Sequence, residues 1–126
     1  MRDDIITFEL AKKLKKKGYP QKSSGDVTMH GTFYYCDGRL YENGGICEVK
    51  DAYTADTVYE VMRWLRENKK IYIMIDRSFS VWNGWHYFIC IDDDFENPIQ
   101  QSVCSGRTYE VAALNAIEYI CETNLI

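Results

Sequence analysis

The chain has few of the residues that usually mark reactive chemistry or a loop-built scaffold. Of 126 residues only two are histidine and two are proline, so a histidine-rich metal site has few ligands to draw on and a proline-rich architecture is excluded. No apolar run approaches the ~20 residues of a membrane span, and the opening Met1-Arg2-Asp3-Asp4-Ile5-Ile6-Thr7 lacks the apolar stretch of a signal peptide. We therefore expect a chain that is neither secreted nor membrane-spanning. C-x-x-C pairs are missing, as are the G-x-x-x-x-G-K-[ST] and G-x-G-x-x-G phosphate loops, the G-x-S-x-G nucleophile elbow and the H-E-x-x-H zinc motif. The common nucleotide and hydrolase readings fall with them, and neither a cofactor nor a metal is expected.

What is present describes a folded globular domain. Hydrophobic residues make up 46% and charged residues 27%, close to the average of soluble domains, and the length suits one domain spanning residues 1–126. Ten Tyr, five Phe and three Trp favour strands packed with helices. The net charge of −4 is unevenly placed. Residues 1–30 hold seven basic and four acidic groups, leaving eight basic and fifteen acidic for the rest. An acidic body repels nucleic acid, so such binding would run through the basic N-terminal segment alone. The five cysteines (Cys36, Cys47, Cys90, Cys104, Cys121) are odd in number and several sit in apolar patterns. They read as reduced thiols in a cytoplasmic protein.

Thr7 caps a predicted helix over residues 8–17, with Leu10, Ala11 and Leu14 inward and Gly18 then Pro20 as the stop. A loop follows, then a meander over 31–50: Thr32 to Cys36, an Asp37-Gly38 turn, Arg39 to Glu42, an Asn43-Gly44-Gly45 turn, and Ile46 to Lys50. A second helix is predicted from a Thr54 cap to about Asn68, its stripe being Ala55, Val58, Val61, Met62 and Leu65. Ile71 to Asp76 and Trp85 to Ile91 read as strands. If Asn83-Gly84 is a two-residue turn, Trp82 pairs with Trp85, and Ile71, Ile73 and Ile75 share a face with His86, Phe88 and Cys90. A longer connection reverses that assignment. Ile99 to Cys104 adds an edge strand, and Thr108 caps a last helix over 109–123 with Ala113, Leu114, Ile117, Ile120 and Cys121 inward. The expected fold is α+β, a mostly antiparallel sheet of about five strands with three helices packed chiefly on one face.

Three stretches also carry a resemblance: Thr7 to Tyr19, Val58 to Glu67 with the strand pair after it, and Glu110 to Tyr119 with Asn124-Leu125-Ile126. They resemble a family of small uncharacterised proteins from gut bacteria and bacteriophages. The likeness covers both ends and the middle and least of the meander. It implies association with phage or mobile-element biology and carries over no active site.

Each candidate for chemistry has a plainer reading beside it. Lys12, Lys13, Lys16 and Lys17 offer phosphate contacts, or are the solvated side of an amphipathic helix that also complements its dipole. His86 and Cys90, four residues apart on one strand, are separated by roughly 13 Å and cannot form a dyad. Asp92 to Glu96 fails the EF-hand template at its sixth and twelfth positions, Asn97 and Val103. Trp82, Trp85, Tyr34 and Tyr41 are candidate protein contacts, or are buried and cross-strand aromatics. With no catalytic residue to assign, the leading expectation is a non-catalytic module with a protein partner. A nucleic-acid-binding accessory protein using the lysine-rich helix is the alternative, and a cysteine enzyme stands third. A sheet with exposed edges also makes homodimerisation through an edge an expectation.

Overall fold

A computed structural model describes residues 3–21, 33–42, 52–77, 84–102 and 105–126. The α+β class holds, with three α-helices and six strands among the described residues. The strands form two three-stranded antiparallel sheets where a single sheet of about five was expected. The chain divides into two compact units, Ile5–Thr57 and Met1–Asp4 with Val58–Ile126.

In the Ile5–Thr57 unit, α1 (Phe8–Lys16) begins where Thr7 Oγ1 accepts the Leu10 N–H at 3.3 Å. It ends in a Schellman motif, in which Tyr19 N–H reaches Leu14 O (2.9 Å) and Gly18 N–H reaches Lys15 O (3.2 Å). That geometry needs the left-handed φ of +92° that Gly18 adopts. Leu10, Ala11 and Leu14 are buried as the spacing predicts. β1 (Phe33–Cys36) and β2 (Arg39–Glu42) form the expected hairpin, with Asp37 and Gly38 both at positive φ in the two-residue turn.

The third strand differs from expectation. The predicted segment 46–50 lies outside the described residues, and β3 is Ala52–Thr54, paired antiparallel with β1 in the order β2-β1-β3. Thr54 is therefore a buried strand residue and not a helix cap. Its N–H donates to Gln21 Oε1 (2.9 Å), and the next N–H, of Ala55, donates to Phe33 O (3.0 Å), so the backbone is engaged with the sheet before a helix can begin. Phe8 packs edge-on against Tyr35 and Tyr53, and the Tyr35 hydroxyl donates to Ile6 O at 2.7 Å. The buried Tyr19 hydroxyl donates to the Asp56 carboxylate.

In the second unit, α2 (Val58–Trp64) runs into a π-helical turn over Leu65–Lys69, closed by Lys70 in the left-handed region with its N–H on Leu65 O. Of the predicted stripe, Val58, Val61, Met62 and Leu65 are buried here, and Ala55 is buried in the Ile5–Thr57 unit. β4 (Ile71–Arg77), β5 (Trp85–Ile91) and β6 (Gln100–Gln101) form the sheet β4-β5-β6. Ile71 stands opposite Ile91, and Arg77 opposite Trp85. The connection between the strands is thus the longer of the two alternatives, and Ile71, Ile73 and Ile75 share their face with Tyr87 and Ile89, not with His86, Phe88 and Cys90.

α3 (Tyr109–Glu122) starts on the predicted Thr108 cap, whose Oγ1 accepts the Val111 N–H at 3.2 Å, and lies against β4 and β5. Its inner face is Ala112, Ala113, Ala116, Ile117, Ile120 and Cys121, with Leu114 only half-buried on the flank. The small alanines turn the inner face by about one position relative to the predicted stripe. Each large aliphatic side chain in this core contributes roughly 1.5–3 kcal/mol on burial.

The expectation that every cysteine is reduced is corrected at Cys36, which is disulfide-bonded. Cys90 and Cys121 are free and buried. Among the described residues no helix is long and apolar enough to cross a membrane.

Candidate functional site

Ser105 and Gly106 lie antiparallel beside the start of β5, and an aromatic row stands where they lead into α3. Trp85 N–H donates to Gly106 O (2.8 Å), and Ser105 N–H returns a bond to Trp85 O (2.7 Å). Asn115, one and a half turns into α3, donates to Ser105 O and Ser105 Oγ, tying this segment to the helix. Two bonds from one strand and one side chain from the helix therefore fix Trp85 and Tyr109 relative to each other. The rings meet edge to face at 5.8 Å between centroids.

Tyr109 stacks in turn on Tyr59 from the first turn of α2, again at 5.8 Å. The Tyr59 hydroxyl donates to Glu110 Oε1 at 2.5 Å. That bond, then the smaller effects of burial and of the Glu110 and Asp4 charges, pushes the Tyr59 phenol up to about 12. The hydroxyl thus stays a donor at neutral pH. Tyr59 is nonetheless 46% exposed, and Val111 beside Glu110 is exposed as well. The result is a row Trp85–Tyr109–Tyr59 with an apolar flank and one carboxylate already engaged, each ring packed on the next.

Of the four aromatics singled out from sequence, Trp85 lies in this row. Trp82 lies outside the described residues. Tyr34 and Tyr41 belong to the other unit, where they stack at 5.6 Å; Tyr34 is only 3% exposed beneath Tyr41, which is 42% exposed. Tyr59, Tyr109 and Glu110 were not singled out from sequence. The signal was present for Tyr59, an aromatic standing off the buried stripe of an amphipathic helix, where it must face outward.

The lysines of α1 are partly engaged within their own unit. Lys12 Nζ stands 5.2 Å over the Phe8 ring, and Lys15 Nζ lies 4.9 Å over Tyr53 while donating to Ala52 O at 3.1 Å. Lys16 is exposed, and Lys13 and Lys17 are half-buried. Cationic heads held on aromatic faces stabilise the helix against the sheet, the structural role of an amphipathic lysine face.

Reactive groups are poorly placed. Burial, and secondarily the Asp94 charge, pushes the Cys90 thiol up and keeps it protonated. His86 Nε2 is buried without a hydrogen-bond partner. His86 and Cys90 sit four residues apart along β5, which keeps them beyond mutual reach. The acidic turn after β5 is organised by its own bonds: Asp92 N–H to Lys70 O (2.8 Å), Asn97 Nδ2 to Asp94 Oδ1 (3.1 Å), and Phe95 edge-on to Tyr72 at 5.1 Å. Among the described residues no group of three or more His, Cys, Asp or Glu is arranged to hold a metal ion.

No family model, curated protein or solved structure matches the chain.

Proposed function

We propose that the chain is a non-catalytic protein-interaction module that meets a partner protein through the Trp85–Tyr109–Tyr59 row. The observation that carries this reading is an interlocked aromatic row ending in a Tyr that is 46% exposed. Trp and Tyr supply large contact area at low conformational cost and dominate binding hot spots. The buried, protonated Cys90 weighs against a nucleophilic enzyme. The tie to phage or mobile-element biology rests on the resemblance of the helical segments. A cytoplasmic setting is part of the proposal, supported by free, buried Cys90 and Cys121, while the Cys36 disulfide weighs the other way. Self-association through a sheet edge is also proposed.

The test is a nuclease-treated pull-down with Tyr59→Ser and Trp85→Ala controls, each checked for native circular dichroism. A stoichiometric partner retained by the parent chain and lost by both folded variants supports the reading. A partner indifferent to both variants refutes the surface. The nucleic-acid alternative, through Lys12, Lys13, Lys16 and Lys17, is tested by their joint replacement with Gln. DNA and RNA binding that is absent, or unchanged by the replacement, discards it.

A further inference from the structure

We propose that β4 is a self-pairing edge, along which two copies of the chain join antiparallel about a two-fold axis at Met74, so that their two three-stranded sheets continue as one. This deepens the sheet-edge association proposed above by naming the strand and the register.

The register of β4 on β5 puts Lys70 opposite Asp92, and Asp92 N–H donates to Lys70 O at 2.8 Å. Positions 70, 72, 74 and 76 therefore direct their backbone groups into β5. Ile71, Ile73, Ile75 and Arg77 direct theirs the other way, where the order β4-β5-β6 supplies no strand among the described residues. Among the described residues only the Arg77 N–H has a local acceptor there, Asp76 Oδ1 at 2.8 Å. Natural sheets blunt such edges with proline, central charge, a bulge or brevity. The seven-residue β4 has none of these across Ile71-Tyr72-Ile73-Met74-Ile75, and its ladder with β5 is unbroken.

The strand is also complementary to itself. With Met74 opposite Met74 of the second copy, only outward-facing residues meet in hydrogen-bonded pairs, as an antiparallel ladder requires. Ile73 exchanges bonds with Ile75 of the second copy, and Ile71 meets Arg77. Both strands are then paired over their whole length, with Ile–Ile contacts on one face and Met–Met contacts on the other. Asp76 lies opposite Tyr72 of the second copy and diagonal to its Lys70, which puts opposite charges together at each end of the ladder. Any other register with the correct parity leaves strand residues unpaired. This self-complementarity selects a second copy over an unrelated extended peptide.

Sedimentation velocity across a dilution series, with the full chain, is the test. The parent chain should dimerise. Met74→Lys and Met74→Glu, which set like charges face to face at the axis, should each weaken dimerisation at least about tenfold with unchanged circular dichroism. A one-to-one mixture of the two should restore it as a heterodimer. A parent chain that stays monomeric overturns both this register and sheet-edge association. A dimer indifferent to the Met74 variants overturns β4 and leaves association to another edge. Should the charged variants fail to fold, Met74→Cys decides. Facing residues of a non-hydrogen-bonded pair lie about 4.5 Å apart at Cα, within disulfide reach. Mild oxidation should therefore link position 74 to itself, as read by peptide mapping, and absence of that link in the folded protein overturns the proposal.

Discussion

Replacing Gly106 with alanine asks how tightly the start of α3 is held against the segment that carries Trp85. A Cβ at Gly106 would lie 2.6 Å from Val111 Cγ1, 2.8 Å from Val111 Cβ and 3.2 Å from Ala112 N. None of these atoms is the free end of a flexible chain, because Val111 is β-branched and held near one rotamer in a helix, and Ala112 N is backbone. Relief must come from moving the helix start or the segment 105–106, and the segment is tied down by the Trp85–Gly106 and Asn115–Ser105 bonds. Overpacking of this kind costs about 1–3 kcal/mol, offset by ~0.4–1 kcal/mol from the stiffer unfolded chain. A net loss of about 1–2 kcal/mol follows, a fall of roughly 4–10 °C in Tm for a chain of this size. Urea unfolding followed by circular dichroism and Trp fluorescence would measure it. Adding Val111→Ala removes the 2.6 Å contact and keeps the 2.8 Å one, so it should recover part of the loss, with a coupling of at least about 0.5 kcal/mol. Gly18→Ala separates the mechanisms, since nothing lies within 4 Å of its Cβ and only the φ of +92° is violated. It should cost about 1 kcal/mol, beyond rescue by any neighbour. A Gly106→Ala chain as stable as the parent, or no coupling to Val111, would refute the packing argument.

Three further outcomes follow from the same contacts. Because Tyr59 is raised to about 12 from 10 in the folded state, its contribution to stability is complete below pH 10 and is lost as pH rises to about 12; Glu110→Gln should bring the phenol back toward its ordinary value in an ultraviolet titration, and an unshifted titration would sever the Tyr59–Glu110 link. Cys90 and Cys121 should resist alkylation in the native protein and react once it is unfolded, so rapid native labelling at neutral pH would contradict their burial. Thr7→Ala and Thr108→Ala each remove an N-cap acceptor and should each destabilise by about 1 kcal/mol, read by urea unfolding, with no change in either variant removing the caps from the account.

The parts legible in the sequence are those whose physics is local. The Thr7 and Thr108 caps, the Gly18 stop, the Asp37-Gly38 turn, the α2 stripe and the span of β5 depend on residues within a few positions of one another. Thr54 shows the limit, since a Thr before an amphipathic run satisfies the cap pattern equally well when its N–H is already bound by Gln21, 33 positions away. The contact row was half legible, through Trp85, because its completion by Tyr59 and Glu110 joins positions 51 apart in the chain.

By itself, then, the sequence determined the α+β class and where the helices and most strands lie, because periodicity, caps and β-branching act over one or two turns of chain. Tertiary structure alone decided the division of the strands into two sheets, the face that Ile73 shares with Ile89, the Cys36 disulfide and the row at Tyr59. Those are choices among pairings nearly equal in local energy. The longer β4–β5 connection was open beside the two-residue turn for this reason, and it is the register that sets Ile73 and Ile75 on the face of the buried Ile89 and Tyr87.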